Sequence, residues 1–246
     1  MGTHQKRLQK ISWRILVDNY KKFINTFLEN DYKDVFFNEL TSDKNQLIIR
    51  HDVDLDCELA YEMSNIEKDM GIKSSYFFLL TNESYNLLSD RNKKIVSKIK
   101  NNGHNISLHF DCSLYDDFRK GLKEEISIFE SVFDVKLDIV SIHKPTDIFM
   151  EERNDIDFIG NTYEDKYFQN TSYHADSGGE FRYGNPLESD SFKRNDNIHL
   201  VVHPVWWTMD KILDVSVVDE LLEKKNNRLK THFKQTVKNY KEYVDV

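Results

Sequence analysis

The chain has 246 residues, 39% hydrophobic and 13% aromatic, which suffices for a substantial core in one sizeable domain or two small ones and excludes a disordered acidic tail. The formal net charge is −8 with acidic and basic residues interspersed, which excludes the basic face that a dedicated nucleic-acid binder needs. Two cysteines, Cys57 and Cys112, are too few for a disulfide framework and point to a reducing compartment.

The N-terminal segment MGTHQKRLQKISWRILVDNYKKF carries charges but no continuous apolar stretch of the signal-peptide kind. No run approaches the roughly 18 apolar residues that span a bilayer, and Lys6 stands where a myristoylation signal needs Ser or Thr. The expectation is a cytoplasmic protein with no membrane span.

Apolar positions at helical spacing over 10–29 (Ile11, Ile15, Tyr20, Phe23, Ile24, Phe27) predict an N-terminal amphipathic helix. A strand follows at Leu47-Ile48-Ile49, then a helix over 56–70 ended by Gly71. Residues 75–80 read as a strand, 89–101 as a basic amphipathic helix stopped by Gly103, and 105–110 as a strand. A helix over 116–133 leads to a strand over 137–142. Phe158-Ile159 and Ser172–Ala175 are weaker strand candidates; 199–203 is a strand and 216–237 a closing helix. Alternating strands and helices imply a parallel sheet with helices outside. The expected fold class is α/β, a distorted (β/α) barrel with an added N-terminal helix, and a doubly wound sheet is the fallback. No glycine-rich phosphate loop follows any strand, which weakens dinucleotide and P-loop readings. No repeat or linker divides the chain, so 1–246 reads as one catalytic domain with 1–40 as a helical extension.

In parallel α/β barrels the active site gathers at the C-terminal strand ends. Four of the predicted strands end in chemistry-bearing residues: Arg50-His51-Asp52-Val53-Asp54, then His109, His143 and His203. Side chains alternate along a strand, so Asp52 and Asp54 share one face, as do Ser107 with His109 and Ser141 with His143. Carboxylates and histidines from separate strands suit a catalytic zinc site, in which N/O ligands leave a position for a water that the metal acidifies. Singly, each feature has a plainer explanation: a strand-end His is commonly structural, and Asp54 or Asp56 at a helix start is commonly a cap. Four such endings on one rim favour a joint site.

These residues resemble the NodB-like polysaccharide deacetylases of carbohydrate esterase family 4, in a divergent branch whose first motif reads Arg-His-Asp-Val-Asp. The resemblance spans about residues 46–207 and implies a distorted (β/α)7-type barrel. It implies that Asp52 is the catalytic base and Asp54 a metal ligand. Gly103-His104-Asn105-Ile106-Ser107-Leu108-His109 is similar to the family's second motif, which makes His109 a metal ligand and leaves His104 structural. The family's next ligand histidine is replaced by Ser113, and His143, at the third-motif position, is the candidate that restores three ligands. Cys112 is the thiolate alternative. Val201-Val202-His203 is similar to the last motif, whose histidine is the general acid, and Asp176 corresponds to the acid that orients it. Arg182 is a candidate for binding a substrate anion or tuning Asp52. Trp206 and Trp207 either line a pocket for an acetyl group or sugar face or pack in the core. His174 and Glu180 read as bystanders.

The function implied is removal of an N-acetyl group from an amino sugar, small or lipid-linked, that is a precursor of a surface polysaccharide. The cofactor implied is one divalent ion, Zn²⁺ first and Co²⁺, Ni²⁺ or Mn²⁺ as alternatives. Two other functions compete: a non-catalytic carbohydrate-binding protein on a decayed fold, suggested by Ser113, and a metal-dependent hydrolase of another C–N amide bond.

Overall fold

The computed structural model describes residues 20–209 and 216–237. Residues 10–19 of the predicted first helix lie outside the described residues. The chain divides into two compact units, Asp18–Thr208 and a second formed by Met1–Val17 with Met209–Val246.

The first unit opens with α1 (Tyr20–Glu29), which buries Tyr20, Ile24 and Phe27, one face at i, i+4, i+7 spacing. After β1 (Lys33–Asp34) comes β2 (Gln46–Val53), buried along its whole length as a central parallel strand covered on both faces should be. Helix α2 (Cys57–Met70) is capped by Asp56, whose side chain accepts from Glu58 N–H, and it ends at Gly71 with φ 72, a left-handed conformation that glycine adopts without strain. Then follow β3 (Ser75–Leu79), α3 (Asp90–Asn101), β4 (Asn105–Asp111), α4 (Phe118–Phe133) and β5 (Ile139–His143). Short elements complete the unit: α5 (Asp147–Glu152), β6 (Gly160–Asn161), α6 (Asp165–Phe168), β7 (Ser172–Ala175), α7 (Asp190–Lys193) and β8 (Ile198–Val202). Within the second unit the described element is α8 (Ser216–Thr236), as the sequence predicts. None of the described helices is long and apolar enough to cross a membrane.

All the strands run parallel in the order β6-β5-β4-β3-β2-β8-β7, with β1 beside β2. This is the distorted seven-stranded barrel the pattern predicts. Its edge strands β6 and β7 are joined by rings rather than by a backbone ladder. Tyr163, just after β6, lies 6.3 Å from Tyr173 on β7, and Phe168 lies 5.0 Å from Tyr173. The curl brings Arg50 of the central strand within 5.5 Å of the Tyr163 ring. Alternation divides β2 cleanly. Ile48, Arg50 and Asp52 face the barrel interior, where Ile48 packs with Phe37, Phe77, Ile139 and Tyr167. Leu47, Ile49 and Val53 face the helices in the main core.

Two boundaries differ from the sequence pattern. The strand expected at Phe158-Ile159 forms two residues later at Gly160–Asn161. Ile159 is spent in the core, and Gly160 alone permits the close backbone approach, since a Cβ there would lie 2.9 Å from the Asp138 carbonyl oxygen. The strand expected over 137–142 runs instead from Ile139 to His143, which carries His143 to the strand's C-terminal end.

Candidate metal centre

Parallel register places the site. Asp54 follows the end of β2; His109 pairs in register with Ser141 across β4 and β5, and His143 ends β5 opposite Asp111. Asp54 Oδ1 lies 3.3 Å from His109 Nε2 and 3.5 Å from His143 Nδ1, and the two imidazole nitrogens are 3.1 Å apart. In a tetrahedral zinc site with bonds of about 2.1 Å, neighbouring ligand atoms lie about 3.4 Å apart. The three atoms therefore form one face of a zinc-sized tetrahedron. Among the described residues they are the group of three whose donor atoms converge closely enough to hold an ion.

Two further observations fit a cation here. Asp54 Oδ1 is buried and makes no hydrogen bond, a costly state for a carboxylate oxygen unless a ligand satisfies it. On the other side of the His109 ring, Nδ1 is tied to Ser141 Oγ at 2.6 Å, which fixes the ring and leaves Nε2 facing Asp54. Burial raises the Asp54 pKa, but His109, His143 and His203 outweigh it and hold the carboxyl well below its usual range.

Asp52 is buried beside this face, its Oδ2 3.7 Å from His109 Nε2. Arg50, two residues earlier on the same strand face, grips it with a fork: Nε to Oδ1 at 2.7 Å and Nη2 to Oδ2 at 2.8 Å. Burial pushes the Asp52 pKa up, and Arg50 together with His109 and His203 more than offsets this, so the carboxyl lies below its ordinary range.

His203 stands just past β8. Its Nε2 lies 3.5 Å from Asp54 Oδ2, and its Nδ1 lies 2.6 Å from Asp176 Oδ1. The backbone N–H of His203 also donates to both oxygens of Asp176. Burial alone would lower the His203 pKa; Asp176 outweighs it and raises the value to about 9. At neutral pH the imidazole therefore holds a proton at Nε2, facing the site.

A cavity of about 550 Å³ opens over these groups, lined by Asp52, Asp54, His109, His143, His203 and, toward the mouth, Trp206, Lys144 and Arg182. Two roles suggested by the sequence move. Trp207 does not line the cavity; its indole N–H donates to Asp176 Oδ2 at 2.6 Å, and its ring packs against Tyr20 and Phe23 of α1. Of the two roles expected for Arg182, tuning Asp52 falls to Arg50, which makes the fork, while Arg182 is exposed on the cavity lining, where binding a substrate anion stays open. Alternation two residues along one strand was the signal that could have found Arg50.

The remaining candidates have structural partners. Ser113 donates from its N–H (3.0 Å) and its hydroxyl (2.6 Å) to Asp111 Oδ1, which caps the turn after β4. Cys112 is buried with its Sγ beside Thr146, apart from the converging ligand atoms. His104 is buried between Ser74 Oγ (2.9 Å) and the Ser64 carbonyl (3.0 Å). His174 bonds Ser172.

Sequence reading gave no sign of a second buried cluster, on the opposite face of β2. His51 points away from the metal centre and meets Glu67 Oε1 at 2.7 Å. Glu67 also accepts from Tyr20, from Ser74 at 2.6 Å and from Tyr76 at 2.6 Å.

Among solved structures, the chain is similar to a chitin deacetylase from the fungal pathogen Colletotrichum lindemuthianum, at 9% identity and a TM-score of 0.48, covering 78% of this chain and 86% of that one. It is similar to a peptidoglycan N-acetylglucosamine deacetylase at 16% identity and a TM-score of 0.48, covering 83% and 90%. A peptidoglycan deacetylase from Bacillus subtilis matches at 11% identity and a TM-score of 0.45, covering 80% and 100%. No protein-family model and no curated protein matches the sequence. Identities this low leave the chemistry to the site's own geometry.

Proposed function

We propose that the protein is a metal-dependent hydrolase that removes an N-acetyl group from an amino sugar. The observation that carries this reading is the triad Asp54, His109 and His143, with donor atoms 3.1–3.5 Å apart around a buried, unsatisfied oxygen. Two imidazole nitrogens and one carboxylate oxygen are a donor set suited to Zn²⁺. A divalent ion bound there supplies Lewis acidity to an acyl carbonyl and makes a nucleophilic water available near neutral pH.

The chain's own residues supply the proton transfers. Asp52, held by the Arg50 fork, is placed beside the ligand face to take the proton of the attacking water. His203, charged through Asp176, presents Nε2–H to the same cavity and protonates the departing nitrogen. A base that stays anionic and an acid that stays protonated at the same pH are what amide hydrolysis requires. Trp206 on the cavity wall offers a ring face to a sugar or acetyl group. A precursor of a surface polysaccharide, handled in the cytoplasm, is the substrate role we assign. Ser113 suggested a decayed, non-catalytic fold, and His143 removes that support by completing the triad.

Purified protein reconstituted with Zn²⁺ is expected to release acetate from N-acetylated sugars and to lose that activity on chelation. A panel of N-acyl substrates separates acetyl from formyl or cyclic amides. Undiminished turnover after complete metal removal sinks the reading.

A further inference from the structure

We propose that the substrate is an acidic amino sugar, one bearing a phosphate or carboxylate group, and that Lys144 and Arg182 bind that group at the mouth of the cavity. This rests on the hydrolase reading for the sugar, but its own support is charge and backbone geometry.

Asp52 and Asp54 are the acidic residues that line the cavity. Asp52 is neutralised by the Arg50 fork, and Asp54 faces His109, His143 and His203. Asp176, behind the wall, is held by His203 and by the Trp207 indole N–H. Each acid of the site thus has a partner that is neither Lys144 nor Arg182. Both of these line the cavity, are exposed, and make no ion pair among the described residues. They are surplus positive charge, and a bound divalent ion adds to it. A neutral sugar leaves that charge unanswered; an anion answers it.

The backbone points the same way. Lys144 follows the ligand His143, precedes Pro145 and has φ 46. Left-handed backbone disfavours a residue with a Cβ by about 1–2 kcal/mol, and a following proline normally drives the residue before it to extended conformations. Lys144 breaks both preferences at a cavity mouth, where strain of this kind is characteristically held for function. Arg182, exposed on the lining of the same cavity, sits in the segment that brings Ser177 and Gly178 to the wall.

The test uses the full chain and two readouts. In the first, binding to the metal-free protein is measured by calorimetry with uridine diphosphate as the phosphate probe, N-acetylmuramic acid as the carboxylate probe and N-acetylglucosamine as the neutral control. At least one anion is expected to bind about tenfold or more tightly than the control, with affinity falling as salt rises, and Lys144→Gln and Arg182→Gln each to weaken it about tenfold. Which probe binds decides between phosphate and carboxylate. In the second, the Zn²⁺ form is expected to show at least a tenfold higher kcat/KM for the anionic than for the neutral acetylated sugar, and the double variant to lose most of that preference. Neither anion outbinding the neutral sugar, or a double variant that keeps full anion affinity, overturns the proposal. Cation-dependent anion binding without hydrolysis of any acyl sugar would instead overturn the hydrolase reading and leave the anion site standing.

Discussion

Two buried polar clusters lie on opposite faces of the strand Gln46–Val53, and they differ in one respect that matters. Around Glu67, both carboxylate oxygens accept hydrogen bonds, from Tyr20, His51, Ser74 and Tyr76. Around Asp54, the oxygen that faces two histidines is buried and unbonded. A carboxylate whose oxygens are both bonded serves the fold, whereas a buried oxygen left bare beside two imidazole nitrogens suits a cation; the bare atom in the Glu67 cluster is an imidazole nitrogen, His51 Nδ1. Composition alone would not separate them, since each pairs a carboxylate with histidines. Geometry does: the Glu67 donors surround the carboxylate, while the Asp54 neighbours converge on a point beside it.

The largest way to break this contrast is Asp54→Ala. Bound metal is expected to vanish and kcat/KM to fall at least 10³-fold, about 4 kcal/mol of transition-state stabilisation. The metal-free fold is expected to lose less stability than in Glu67→Gln, because Asp54 Oδ1 makes no hydrogen bond and the nearest imidazole nitrogens lie at 3.3–3.5 Å. A large loss of metal-free stability would place Asp54 in the same class as Glu67. Next comes His203→Gln, for which metal content is retained and kcat is expected to fall about 10²–10⁴-fold, the usual range for a general acid.

Glu67→Gln should act in the opposite sense, costing about 3 kcal/mol of stability in denaturant titration while little changing the rate per folded molecule. Burial raises the Glu67 pKa, but His51 and its other partners bring it down from 4.5 to about 2. A carboxyl depressed on folding adds stability that is complete above about pH 4.5 and is lost as pH falls toward about 2. The variant is expected to lack that acid limb. The smallest effect sharpens the boundary between the two regions: Tyr20 bonds Glu67 and packs on Trp207, which bonds Asp176. Trp207→Phe keeps the ring and removes the N–H, and is expected to lower kcat about tenfold with KM unchanged.

The barrel was legible because its signals are local. Strand runs, a helix cap such as Asp56, and glycine at Gly71 act within a few residues. The same holds for the strand-end residues: period-two alternation put Asp52 with Asp54 and Ser141 with His143. Partners across strands were harder to see. His143 was the uncertain ligand, and Trp207 and Arg182 were read from sequence proximity alone. The Glu67 cluster joins residues from α1, β2, α2 and β3, and no spacing rule connects Tyr20 to Glu67.

By itself, then, the sequence determined the αβ alternation, the rim on which Asp52, Asp54, His109, His143 and His203 gather, and the class of chemistry they suit, because periodicity fixes which side chains share a face. Tertiary structure alone decided which of those groups meet. The parallel register that sets His109 against Ser141 puts His143 within reach of Asp54, and the pairing of β8 beside β2 brings His203 to the same cavity. Distances of 3 to 4 Å between residues dozens of positions apart follow from strand order and packing, which no local preference encodes.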